Sequence, residues 1–128
     1  MGESDNREVL FWTEHGRPVP ALTARQMREV DRVAVEAYGL GILQMMENAG
    51  RNLALQTMAM LGRSAGEVAV LAGAGGNGGG GLCCARHLHN RGFQVHVVLD
   101  RAPDEFGGAA GEQLRILRAT GLELLPPT

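Results

Sequence analysis

Residues 67–81 read Glu-Val-Ala-Val-Leu-Ala-Gly-Ala-Gly-Gly-Asn-Gly-Gly-Gly-Gly. Glu67 to Gly73 is a short apolar run of the kind that forms a buried parallel strand. The glycines follow at once, and Leu82 to Asn90 then predicts a helix closed by Gly92. Seven of the chain's 19 glycines fall between Gly73 and Gly81, so the excess is local. The placement matters more than the glycines themselves. The first N–H groups of a helix lack internal partners and carry the positive end of its dipole. Without Cβ atoms such a backbone can approach an anion closely. The expected ligand is a phosphate or pyrophosphate. The competing reading is a flexible glycine loop with no ligand.

Outward from this core, Gln94 to Leu99 predicts a second strand. Asp104 to Thr120 contains a helix with Leu114 and Leu117 inward, and Leu122 to Leu125 a third strand before Pro126-Pro127. Upstream, Thr23 to Tyr38 predicts an amphipathic helix. Thr23 and Gln26 make its capping box, and Met27, Val30, Ala34 and Ala37 share its apolar face. Gly41 to Leu61 predicts a second helix with Ile42, Met46, Ala49 and Leu53 as its stripe. Gly50 inside that helix marks a close backbone approach. Met1 to Pro20 reads as a polar, irregular lead-in, with Val9, Leu10, Phe11 and Trp12 as an apolar cluster able to pack on the domain. Strands alternating with helices imply an α/β fold with a mostly parallel sheet and right-handed crossovers. Three strands are few for such a sheet, so the chain reads as an incomplete domain.

Composition removes several functions. The 128 residues carry 12 basic and 14 acidic side chains, a formal charge of −2, and 4% aromatics, which gives no support to nucleic-acid binding. All basic residues are Arg, so no P-loop lysine, Schiff-base lysine or lysine base exists in this chain. No apolar run reaches a membrane span. The polar start is neither a signal nor a transit peptide, and two adjacent cysteines suit a reducing compartment, with the cytoplasm as the default and the mitochondrion left open.

Gly73, Gly75 and Gly78 also satisfy G-x-G-x-x-G, and Asp100 ends the next strand where a ribose-binding carboxylate would stand. The dinucleotide-binding half of a dehydrogenase therefore stays open. Other candidates read more plainly. Glu47 and Asn48 either approach the site or lie on a polar face. His87 and His89, two apart on a helix, diverge and suit surface or packing roles. His96 reads as a satisfied core histidine. Cys83 and Cys84 read as small hydrophobes behind the loop.

The stretch from Leu22 to Leu99 resembles the NAD(P)H-hydrate epimerase family, the YjeF N-terminal domain. Three segments carry the resemblance: the helix Leu22 to Asp31; Met45-Met46-Glu47-Asn48-Ala49-Gly50-Arg51, similar to the family's Leu-Met-Glu-x-Ala-Gly; and Gly73 to Leu82 followed by Ala85-Arg86-His87-Leu88. The last is similar to the family's G-x-G-N-N-G-G-D-G-L and A-R-x-L. The resemblance implies a three-layer α/β/α Rossmann-like domain over residues 21–128. It implies an isomerase that interconverts the R and S epimers of hydrated NADH and NADPH, beside a dehydratase that restores the cofactor. It also implies a homodimer. Gly75, Gly76, Asn77, Gly78, Gly79, Gly80 and Gly81 would receive the substrate's phosphates, and Asn77 would help hold a potassium ion. Two positions depart from the pattern: Gly76 replaces the first loop asparagine and Gly80 the aspartate. The later Asp-Ala-x-x-Gly-x-Gly segment, with the aspartate and serine that complete the family's site, is absent, so no catalytic residue is assigned in this chain. A non-catalytic binding or dimerisation scaffold of the same fold is the alternative. Replacing Gly78 by Val is expected to block phosphate while leaving the fold intact.

Overall fold

The computed structural model describes residues 9–126, so the readings of Met1 to Glu8 and of Pro127 lie outside the described residues. The chain divides into two compact units, Met1–Leu40 and Gly41–Thr128.

In the first unit, β1 (Val9–Trp12) pairs antiparallel with β2 (Pro18–Pro20), where an irregular lead-in was expected. Thr13 closes the turn: its N–H donates to the Arg17 carbonyl at 2.9 Å, and its hydroxyl accepts from the Arg17 N–H at 3.0 Å. Prolines are tolerated because a two-stranded ribbon is all edge and needs few N–H donors. Phe11 and Trp12 are about two-thirds exposed. Helix α1 (Ala24–Glu36) starts as anticipated. The Thr23 hydroxyl accepts from the Gln26 N–H at 3.2 Å, and the Gln26 side chain accepts from the Thr23 N–H at 2.9 Å. None of its residues is buried.

The second unit is a parallel three-stranded sheet in the order β3 (Glu67–Ala72), β4 (Gln94–Leu99), β5 (Leu124–Leu125), with α2 (Ile42–Leu61), α3 (Gly76–Asn90) and α4 (Gly108–Ala119). Adjacent parallel strands joined by α3 and α4 form two successive crossovers, which right-handedness sends to the same face of the sheet. The core confirms this: Val95, Val97 and Leu99 of β4 cluster with Leu82, Ala85 and Leu88 of α3 and Leu114 and Leu117 of α4. Leu82, Leu88, Leu117 and Val97 are fully enclosed, each worth about 1.5–3 kcal/mol in apolar burial.

β3 was expected to be buried throughout. It alternates instead, and Leu71 is 80% exposed. Within this unit the helices cover one face, so every second β3 side chain points away from them. The stripe of α2 is also rotated from expectation. Met46, Gly50 and Ala54 are buried, whereas Ile42 and Leu53 are about half exposed. The cause is Gly50. A Cβ there would lie 2.5 Å from Cys83 Cβ, so the small face of α2 is what fits against α3. The close approach read from Gly50 is therefore present.

Helix α3 begins inside the glycine run, six residues before the predicted start at Leu82. Gly78 makes this possible, because a Cβ there would lie 1.6 Å from the Gly73 carbonyl oxygen. Gly80, in the same helix, faces open space. Two substitutions should therefore act in opposite directions. Gly80→Ala removes a mid-helix glycine at no steric cost and should stabilise the chain by up to about 1 kcal/mol. Gly78→Ala should destabilise it by about 1–3 kcal/mol or more through overpacking. Guanidinium denaturation of the two variants and the parent chain measures both.

Candidate functional site

The glycine run sits at the carboxyl end of β3, where ligands bind in open α/β sheets. Gly75 is the N-cap of α3, in extended conformation, and the first intrahelical bond runs from the Gly79 N–H to the Gly75 carbonyl at 3.0 Å. The N–H groups of Gly76, Asn77 and Gly78 precede that bond and have no partner inside the helix. Gly75, Gly76 and Asn77 are exposed, so these donors can meet an anion from solvent.

The structure divides the seven candidate residues by role. Gly75, Gly76 and Asn77 form the accessible start. Gly78 is the close approach to Gly73. Gly79 is buried, and a Cβ there would press on Met46 Sδ at 2.7 Å and Ala110 Cα at 3.2 Å. Gly81 backs onto Val70. Gly78→Val is therefore not the clean probe expected, because the valine would strike the loop backbone before any ligand arrived. The positions that depart from the family pattern, Gly76 and Gly80, both have open space where a side chain would project. A shallow depression elsewhere, lined by Arg118, Gly121, Leu122, Glu123 and Leu124, contains none of these residues.

Asp100 stands beside this start, its Oδ2 3.6 Å from where a Gly73 Cβ would be. Arg101 binds it through Nε at 2.9 Å and Nη2 at 2.8 Å. Those hydrogen bonds hold the Asp100 carboxyl below its usual range. The carboxylate required by the dehydrogenase reading is thus already paired. Potassium fits poorly on the residues present. The run displays N–H donors, and Asn77 contributes one amide oxygen, whereas such a cation is held by a shell of oxygens.

A second cluster lies farther along α3. Glu47, on α2, accepts from Cys83 Sγ at 3.3 Å through Oε2, meets His87 Nε2 at 2.6 Å through Oε1, and pairs with Arg86. Burial opposes the charge on Glu47. Hydrogen bonds from Cys83 and His87 and the Arg86 charge outweigh it and hold the carboxyl below its ordinary range. Burial, then the neighbouring Glu47 carboxylate, pushes the Cys83 thiol up to about 12. Burial also raises Cys84. Both cysteines are buried and free, as the reading of small hydrophobes requires. The sequence left Glu47 undecided and weighed His87 only against His89, from which it diverges. The available signal was the Cys83–His87 spacing of four, which shares a helix face. His96 is likewise no core residue: it is partly exposed and bonded to Glu67 at 2.6 Å.

These features define a Rossmann-like α/β fold whose central helix opens on a glycine-built, anion-receptive start. Comparison with known proteins places it further. The family model described as YjeF-related protein N-terminus matches residues 42–128. An NAD(P)H-hydrate epimerase of Dehalogenimonas lykanthroporepellens is 49% identical over 116 residues, covering 88% of this chain and 46% of the relative. A bifunctional NAD(P)H-hydrate repair enzyme Nnr of Salinibacter ruber is 47% identical over 100 residues, covering 77% of this chain and 18% of the relative. The crystal structure of yeast ynu0, YNL200c, superposes with a TM-score of 0.72 at 26% identity, over 84% of this chain and 47% of that one. The chain belongs to the YjeF-related N-terminal family. It spans about half the length of the relatives named as epimerases. No helix among the described residues is long and apolar enough to cross a membrane.

The thiol environment is testable. Cys83 and Cys84 should resist a thiol-specific disulfide reagent at pH 8 in the folded chain, and both should react in denaturant. The fold favours the neutral Cys83 thiol, whose value rises from 9.0 to about 12. Its contribution is therefore complete below about pH 9 and is lost as pH climbs toward 12, with stability falling over that window. Denaturant midpoints measured from pH 8 to pH 11 read the decline.

Proposed function

We propose that this chain is the phosphate-anchoring half of an NAD(P)H-hydrate epimerase, acting in nicotinamide nucleotide repair. The observation that carries the reading is the start of α3. Exposed, side-chain-poor backbone at Gly75–Asn77, with three free N–H donors, follows a parallel strand in a chain of this family. The diphosphate of hydrated NADH or NADPH is the group such a start accepts.

Epimerisation at the hydrated nicotinamide carbon runs through loss of water and its return to the other face. Hydroxide departure needs an acid, and the cationic ring it leaves must be shielded until water re-adds. Asp100, beside the glycine run, is bound by Arg101, and Glu47 by Arg86 and His87. The contribution of this chain is anchoring the substrate, with Asn77 offering its amide to the phosphate. A dehydratase acting on the S epimer consumes the product, and a homodimer is the assembly in which we place the chain. The same geometry supports a nucleotide-binding scaffold without turnover, which the open positions at Gly76 and Gly80 favour.

Two measurements test the reading. The purified chain is given the R epimer of NADPH hydrate, with conversion followed by an S-specific dehydratase and binding by calorimetry. Binding without conversion above the spontaneous rate is expected. Conversion would place the acid–base groups within these residues and overturn the division of roles, and absence of binding would overturn the anchoring role. Asn77→Asp separates fold from function. A carboxylate in the first turn should leave stability unchanged or raise it by about 0.3–1 kcal/mol through the helix dipole. The same carboxylate should weaken NADPH-hydrate binding roughly ten-fold by repelling the diphosphate. Unchanged affinity would contradict the assignment of Asn77 to the phosphate site.

A further inference from the structure

The structure assigns a second ligand to this chain: we propose that Glu47, Cys83 and His87 form a binding site for a borderline-soft divalent cation of the zinc class, separate from the glycine run. One ligand atom from each residue can be chosen so that all three lie within 4.8 Å of one another. The donors are a thiol sulfur, an imidazole nitrogen and a carboxylate oxygen, each a ligand type that zinc takes, and zinc sites with three protein ligands keep a fourth position open. Cys83 and His87 are four apart on α3 and share a face, and Glu47 comes from α2 across the contact that Gly50 makes possible. Two helices thus fix three ligands. The Glu47 side chain is 45% exposed, which gives a cation its way in.

The surrounding cations bear on the site in two ways. Arg86 pairs with Glu47 Oε2, while Oε1 faces His87. The carboxylate can therefore give Oε1 to a cation and keep Arg86 on Oε2, the kind of outer partner that orients a metal-binding carboxylate. Arg86 Nη2 also lies 3.4 Å from Cys83 Sγ, so a thiolate formed there has a donor beside it. Arg91 opposes binding. Its Nη1 lies 3.0 Å from His87 Nδ1, and a guanidinium can only donate, so Nδ1 is the acceptor and Nε2 carries the proton that goes to Glu47. A cation on Nε2 requires the other tautomer. Arg91 must then release Nδ1 and keep its second bond, to the His87 carbonyl at 3.0 Å. Cation uptake releases the Cys83 thiol proton to solvent, so a divalent ion replaces one proton and the cluster's net charge rises by one.

The test is titration of the full chain with zinc by calorimetry and with cobalt(II) by absorption, in the reduced state. We expect one ion per chain and a thiolate-to-cobalt charge-transfer band. Cys83→Ala and His87→Gln should each weaken binding at least ten-fold, whereas His89→Gln should leave it unchanged. Arg91→Gln should tighten it by freeing the Nδ1 proton position, an effect that a purely structural ion-pair network would not produce. Circular dichroism establishes that each variant is folded. If a variant fails to fold, the cobalt band of the parent chain decides the point, because only a thiolate ligand produces it. Failure to take up zinc, a cobalt spectrum without the thiolate band, or affinity unaffected by folded Cys83→Ala or His87→Gln would overturn the proposal. None of these outcomes depends on whether the glycine run binds phosphate.

Discussion

The 1.6 Å between the Gly73 carbonyl oxygen and any Cβ at position 78 is the constraint on which the rest of the second unit depends. It lets α3 begin immediately beyond β3, so that free N–H donors stand at the end of the strand. The same helix needs close neighbours on two further sides. Gly79 lets it press on Met46 and Ala110, and Gly50 brings α2 against Cys83. Three absent side chains hold the N-terminal half of α3 between its neighbours, while Gly75 to Asn77 stay in solvent. A glycine run that looks like one feature is thus two. Its start is exposed to solvent, and its middle is packed into the fold.

That division explains what was legible in the sequence. The alternation of strand and helix, the parallel sheet, the capping box at Thr23 and the inward Leu114 and Leu117 follow from local periodicity, and all are present. The start of α3 was misplaced because a helix of glycines contradicts intrinsic propensity; tertiary contacts at Gly78 and Gly79 override it. The rotation of α2 toward Gly50 and Ala54 was hidden for a similar reason. Periodicity finds the most apolar face, whereas packing here selects the smallest one. The exposed Leu71 could not be foreseen, because a run of Val, Ala and Leu does not reveal how many of its faces are covered. The Glu47, Cys83 and His87 cluster joins positions 36 and 40 residues apart. Only the Cys83–His87 half of it has a local signature.

The resemblance sets an asparagine and an aspartate where this chain has Gly76 and Gly80, a difference with a physical meaning in this setting. Neither position is crowded, so no packing demand imposes glycine there. What the replacements remove is an amide and a carboxylate near the phosphate-receptive start, and what remains is backbone. The chain therefore keeps its backbone N–H groups, the donors on which the proposed diphosphate anchoring rests. It lacks a side chain that could steer a cation or a proton at position 80.

The most direct measurement of the central claim is amide-resolved NMR of the chain titrated with NADP+. The N–H resonances of Gly76, Asn77 and Gly78 should shift first and most, while those of His87 to Asn90, at the far end of α3, stay in place. Binding that leaves Gly76 to Gly78 unmoved, or saturates shifts at another surface, would contradict the account of α3 as a phosphate-anchoring helix.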